Sequence, residues 1–96
     1  MRLEFSPAAE SDLVEIARVI AEDNGPRALS FVDELEGACS VLVDHPFAGA
    51  ARTEIRAGLR SKPHGRYVIF YTPHEATVRI ERILHGSRDI GSALSS

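Results

Sequence analysis

The stretch GRYVIFYTPHEATVRIERILHGSRDI, residues 65–90, constrains the fold more than any other part of the chain. Two runs rich in β-branched and aromatic residues, Arg66 to Thr72 and Thr77 to Leu84, flank Pro73-His74-Glu75-Ala76 and so predict two strands joined by a hairpin loop. In the first run Tyr67, Ile69 and Tyr71 share one face and Val68 and Phe70 the other, which calls for cover on both sides of a sheet. In the second, Val78, Ile80 and Leu84 point one way, and Arg79, Glu81, Ile83 and His85 the other. Arg82 falls out of step on the otherwise apolar face. The expectation there is a β-bulge, or an arginine whose stem is buried and whose head emerges at a strand end.

Upstream the period changes from two to that of a helix. RLEF alternates, placing Leu3 and Phe5 on one face of a short first strand. Ser6 and Pro7 then open a helix as N-cap and first helical residue, with Glu10 and Asp12 favouring its positive end. Leu13, Ile16, Ala17 and Ile20 form its inward stripe. Asn24-Gly25 is expected to supply a left-handed stop. Pro26 opens a second helix with the seam Ala28, Val32, Leu35, Cys39 and Leu42, ended at His45-Pro46. So short a link predicts an antiparallel helical hairpin, because a coiled coil needs a longer run than these roughly two heptads. The segment PFAGAARTEIRAGLRSKPHG reads as loop, with a short strand near Leu59 to Lys62, and the tail GSALSS as frayed.

Ninety-six residues make one domain, 1–96, with a small core. The single cysteine, Cys39, sits among apolar residues and reads as a buried inert thiol in a reducing compartment. The first residues lack a basic stretch followed by an apolar one, and no apolar run approaches the roughly 20 residues of a membrane span, so the expected location is cytoplasmic, without membrane contact. The net charge of −3 hides an asymmetry: residues 1–51 carry three basic and ten acidic side chains, residues 52–96 eight basic and four acidic. The acidic half suits a solvated outer surface, and the basic half suits an anion, an acidic peptide or nucleic acid.

The order of pieces resembles the RelE/ParE superfamily of bacterial toxin–antitoxin modules, and ParE most nearly. The resemblance rests on the AAESDLVEIARVIAEDNG helix, the ALSFVDELEGACSVLVDHPFAG helix with its Pro and Gly exit, the GLR strand, YVIFY and the HGSRD close. It implies an α+β fold: an N-terminal strand, then an antiparallel helical hairpin packed on a small, mainly antiparallel sheet, and a short C-terminal tail. It also implies a toxin that blocks DNA gyrase without chemistry of its own, and a ParD-like antitoxin that neutralises it. The complex is expected to be two-to-two or larger, with DNA reached only through the antitoxin. The resemblance places the antitoxin- or target-binding surface at Arg60, Arg79, Arg82, His85, Arg88 and Asp89.

RelE-like relatives instead cut messenger RNA on the ribosome, which needs acid, base and cations within about 3 Å of the reacting atoms. Arg60, Arg82 and His85 are the residues for that alternative, with Lys62, His64 and Arg88 as further cations. The family's nucleases carry a Tyr or His near their C-terminus where this sequence reads IGSALSS, and the net negative charge disfavours RNA. A third alternative is a non-toxic module that only binds antitoxin. His85 also has a plain structural role open to it, hydrogen-bonded to backbone or to Asp89, and a plain ion pair with each other is open to Arg88 and Asp89. The four histidines fall in separate elements without metal-ligand spacing, so neither metal nor cofactor is expected.

Overall fold

The computed structural model describes residues 1–88 and 90–95. The elements run β1 (Arg2–Phe5), α1 (Pro7–Ala21), α2 (Gly25–Asp44), β2 (Ala50–Ala51), β3 (Arg60–His64), β4 (Tyr67–His74), β5 (Thr77–His85) and α3 (Ile90–Ser95). The five strands form one sheet in the order β1-β5-β4-β3-β2, parallel only between β1 and β5. The helical hairpin covers one face of the sheet, where Ile16, Phe31, Leu35, Cys39 and Leu42 meet Ile69, Tyr71, Val78, Ile80 and Ile83. Each such aliphatic side chain contributes roughly 1.5–3 kcal/mol by leaving water. Leu59, Phe70, Leu84 and Leu94 make a smaller core on the other face. The tail is therefore not frayed as expected: Leu94 is buried, and α3 covers the face that Phe70 and Leu84 would otherwise expose.

The hairpin link also differs from expectation. Gly25 is not left-handed; it is the first residue of α2, and extended Asn24 caps that helix by accepting the Arg27 N–H at 3.1 Å. The preceding helix ends instead on the Ile20 carbonyl, which accepts from both Asp23 and Asn24. Asparagine suits either role, and local sequence does not separate them.

Pro73 and His74 belong to β4, so the β4–β5 loop has two residues, Glu75 and Ala76, with Glu75 at φ 53. The sheet tolerates Pro73 because β3 pairs only as far as Tyr71, leaving no neighbour to miss the N–H. Gly65, at φ 60, makes the matching tight turn between β3 and β4.

The bulge lies one residue earlier than Arg82. Phe70 pairs with Arg82 but Tyr71 pairs with Ile80, which leaves Glu81 as the inserted residue. The insertion exchanges the two faces of β5. Ile83, not Leu84, therefore continues the Val78–Ile80 row, and Leu84 drops into the second core. Two groups of α1 satisfy the backbone there. Ser6 Oγ accepts the Ala9 N–H at 3.0 Å as N-cap and donates to the Glu81 carbonyl at 2.7 Å, while Asp12 Oδ2 accepts the Ile83 N–H at 2.9 Å. Ser6→Ala removes a cap and orphans a carbonyl together, so it should cost about 1.5–2 kcal/mol. The check is a urea melt whose midpoint falls at unchanged slope.

Candidate functional site

Paired residues on neighbouring strands point to the same side of a sheet, and that rule sorts the arginines. Arg60 stands opposite Tyr71 and His85 opposite Tyr67, on the side of the helical hairpin. Arg82 stands opposite Phe70 and Arg79 opposite Thr72, on the side of α3. Arg60, Arg82 and His85 are thus divided between two faces rather than gathered round one point.

Most of these cations already have partners. The Arg60 guanidinium donates to the Phe47 and Gly49 carbonyls and lies over the Phe47 ring, 5.0 Å from its centroid. Arg79 pairs with Glu4 across the β1–β5 ladder and with Glu81 along its own strand. Arg82 makes a two-point fork on Asp12, Nε to Oδ2 at 2.8 Å and Nη2 to Oδ1 at 2.9 Å, and its Nη1 donates to the Ala93 carbonyl at 3.3 Å. With the Arg82 and Asp12 side chains only 20% and 12% exposed, the pair ties α1, the bulge and α3 together. The Asp12 hydrogen bonds outweigh partial burial and hold the guanidinium still more firmly protonated. Sequence reading missed Asp12, which sits in α1 as one acid among many. Its signal was indirect: an arginine out of step in a strand needs a carboxylate from elsewhere.

Exposed His85 takes the backbone partner open to it, at Ser87, and Asp89 lies outside the described residues. The Ser87 N–H donates to its Nδ1 at 3.2 Å and the Ser87 hydroxyl lies 2.7 Å from the same atom, so the neutral ring carries its proton on Nε2. Exposed Arg88 borders a cleft of about 170 Å³ shared with Asp12, Glu15, Tyr67 and His85. Asp89, and with it the expected Arg88–Asp89 pairing, lies outside the described residues.

Two open grooves flank the hairpin. The first, about 500 Å³, lies where the α1–α2 link, the Gly65–Arg66 turn and the end of β5 meet; Val19, Ile20, Phe31 and Tyr67 supply its apolar lining, Arg27 and Arg66 its cations, and His85 a ring N–H. Arg27 and Arg66 were not among the sequence candidates, being 39 residues apart in different elements. The second, about 470 Å³, runs along the outer side of the hairpin over Leu13, Val14, Leu29 and Val32, with Glu10, Asp33 and Glu36 as its acidic groups. Val14 and Leu29 remain 70% and 74% exposed there, a large apolar display for so small a domain. At the sheet margins β1 has one strand neighbour, and β2 pairs only with Arg60 and Ser61, leaving the edge of Lys62 to His64 unpaired by a strand. Burial pushes the Cys39 thiol up to about 12, which leaves it unreactive. No helix among the described residues is long and apolar enough to cross a membrane.

The family model described as ParE toxin of type II toxin-antitoxin system, parDE, matches residues 3–90. A solved structure, a chromosomal ParDE TA system from P. aeruginosa, superimposes with a TM-score of 0.76 at 23% sequence identity, over 88% of this chain and 95% of that one. At that identity the likeness carries the fold: two helices packed on a five-stranded, mostly antiparallel sheet that begins with an N-terminal strand. No curated protein sequence matches.

Proposed function

We propose that this chain, which belongs to the ParE toxin family of type II toxin–antitoxin systems, arrests growth by binding DNA gyrase rather than by a reaction of its own, and that a ParD-like antitoxin holds it inactive in the cytoplasm. The family match across residues 3–90 carries the reading. The division of Arg60 and His85 from Arg82 between two faces of the sheet supports the non-catalytic part, because in-line attack on a phosphate needs its acid, base and cations around one centre.

For the antitoxin, the outer groove of the hairpin offers exposed Val14 and Leu29 to an amphipathic helix, and the free margins of β1 and β3 offer backbone groups to an extended segment. Acidic side chains of the partner meet His85 and Arg88 first, since both are exposed, and compete with Glu4 and Glu81 for Arg79. Arg60 and Arg82 contribute by shaping that surface, and Asp89 belongs to the same stretch. The assembly is two-to-two or larger, with DNA contacted through the antitoxin alone.

A supercoiling assay tests the proposal. Purified chain should inhibit gyrase at near-stoichiometric ratios, and added antitoxin should restore activity. Normal supercoiling in the presence of excess folded chain would sink the gyrase reading, and message cleavage in a translating extract would replace it with the nuclease one.

A further inference from the structure

We infer that the groove between the α1–α2 link and the Gly65–Arg66 turn is a docking site for an acidic peptide segment that carries one large apolar side chain. Four rings stand in line there. Phe31 lies 5.8 Å from His64 and 5.6 Å from Tyr67, and Tyr67 lies 5.3 Å from His85, edge to face. Contacts of this kind hold one another in place, so the floor is formed before anything binds. Val19 and Ile20 close the side of the floor, and the cavity of about 500 Å³ is within the ordinary range for ligand clefts.

The polar groups above this floor are nearly all donors. Arg27 uses only its Nη1 on Ser30 and Glu34, while its guanidinium lies over Phe31, 5.1 Å from the ring centroid. Its Nε and Nη2 hydrogens take no part in those bonds and remain for a second carboxylate. Arg66 is exposed and has no ion-pair partner among the described residues. His85 turns its Nε2 hydrogen away from the Ser87 contact. Glu34 is the acid paired with Arg27; the Arg27 hydrogen bond, then the His64 one, hold its carboxyl below the usual range, so it stays charged and offsets part of the Arg27 charge.

Apolar floor and cationic rim together select an acidic–apolar peptide. The acidic rim of the outer hairpin groove, Glu10, Asp33 and Glu36, repels the same segment. A nucleic acid suits this place less well, because its phosphates extend beyond a short groove and meet Glu15 and Glu22 around it, whereas the acids of a short peptide end at the cationic rim.

The test is a titration of the whole isotope-labelled protein, followed through its backbone amide resonances. The probes are an acetylated Glu-Asp-Ser-Trp-Asp-Glu peptide, its charge-reversed counterpart Lys-Arg-Ser-Trp-Arg-Lys, and a short oligothymidylate. The acidic peptide should give saturable shifts confined to Val19, Gly65, Tyr67 and His85. Arg66→Glu and Arg27→Glu should each weaken it at least about tenfold, whereas Arg2→Glu, with the same change in net charge on the distant β1 edge, should leave it unchanged. Unaltered melting temperatures of the variants show that the fold is retained. Equal binding of the basic peptide, tighter binding of the oligothymidylate at these residues, or shifts confined to Val14 and Leu29 would each overturn the inference, as would no shift at all. The titration does not involve gyrase, so its failure and that of the toxin reading are told apart.

Discussion

Asp12→Ala should lower stability by about 3 kcal/mol, among the largest losses available to a single surface-reachable side chain in this domain. The carboxylate accepts three hydrogen bonds, two from the Arg82 fork and one from the Ile83 N–H. Removing it leaves a largely covered guanidinium without its counter-charge and a bulge N–H without an acceptor. For a chain of this size the melting temperature should fall by more than about 10 °C. Arg82→Met in the same background should recover much of the loss, because an apolar side chain in that place no longer needs a partner. A double-mutant cycle in urea measures the coupling. Additive losses would mean that the fork contributes nothing of its own. Faster hydrogen exchange at the Ile83 amide and in α3 should accompany the single change, since Arg82 also holds the Ala93 carbonyl.

Gly49→Ala should cost about 2–3 kcal/mol for a different reason, a collision. A Cβ there would stand 2.6 Å from the Ser61 carbonyl oxygen and 2.7 Å from the Tyr71 hydroxyl. Neither can retreat: one is backbone in β3, and the other belongs to a fully buried ring. The Gly49 N–H also donates to that hydroxyl at 2.8 Å, and its carbonyl accepts from Arg60. Displacing the loop therefore breaks both bonds and frees the Phe47 corner. Gly37→Ala is the matching control, because a Cβ at that exposed position of α2 meets nothing within 4 Å. It should stabilise by about 0.5–1 kcal/mol through helix propensity. Denaturant midpoints that move in the same direction for the two variants would refute this account.

Much of the fold was legible because it is written in periods. The alternation of Tyr67 to Tyr71 faces the two cores it implied, and so does the seam of Ala28, Leu35, Cys39 and Leu42, but Val32 lines the outer groove and Phe31 takes its place in the core. The failures fall where a period is interrupted. The misfit of Arg82 announced a bulge, but alternation is unchanged by a one-residue shift before the fault, so the inserted residue, Glu81, and the true row of Ile83 came only from pairing. The two-residue strand Ala50–Ala51 is too short to carry a period. In the candidate site, the charge of the closing segment was visible, but its partners were not. Asp12 lies 70 residues from Arg82, and Arg27 reaches the groove from the opposite end of the chain to His85. Such meetings are made by topology, which composition does not encode.

The single parallel ladder has a consequence for the order of events at the ribosome. β1 is made before β5, yet the two pair, and the register partners Glu4 and Arg79 lie 75 residues apart. The helical hairpin is local and closes early, while its inward face waits uncovered for strands not yet synthesised. Ser6 and Asp12 likewise emerge long before the bulge they complete. The apolar face of the hairpin is therefore complete before the strands that cover it have been made, and the contact between β1 and β5 is the step that closes it.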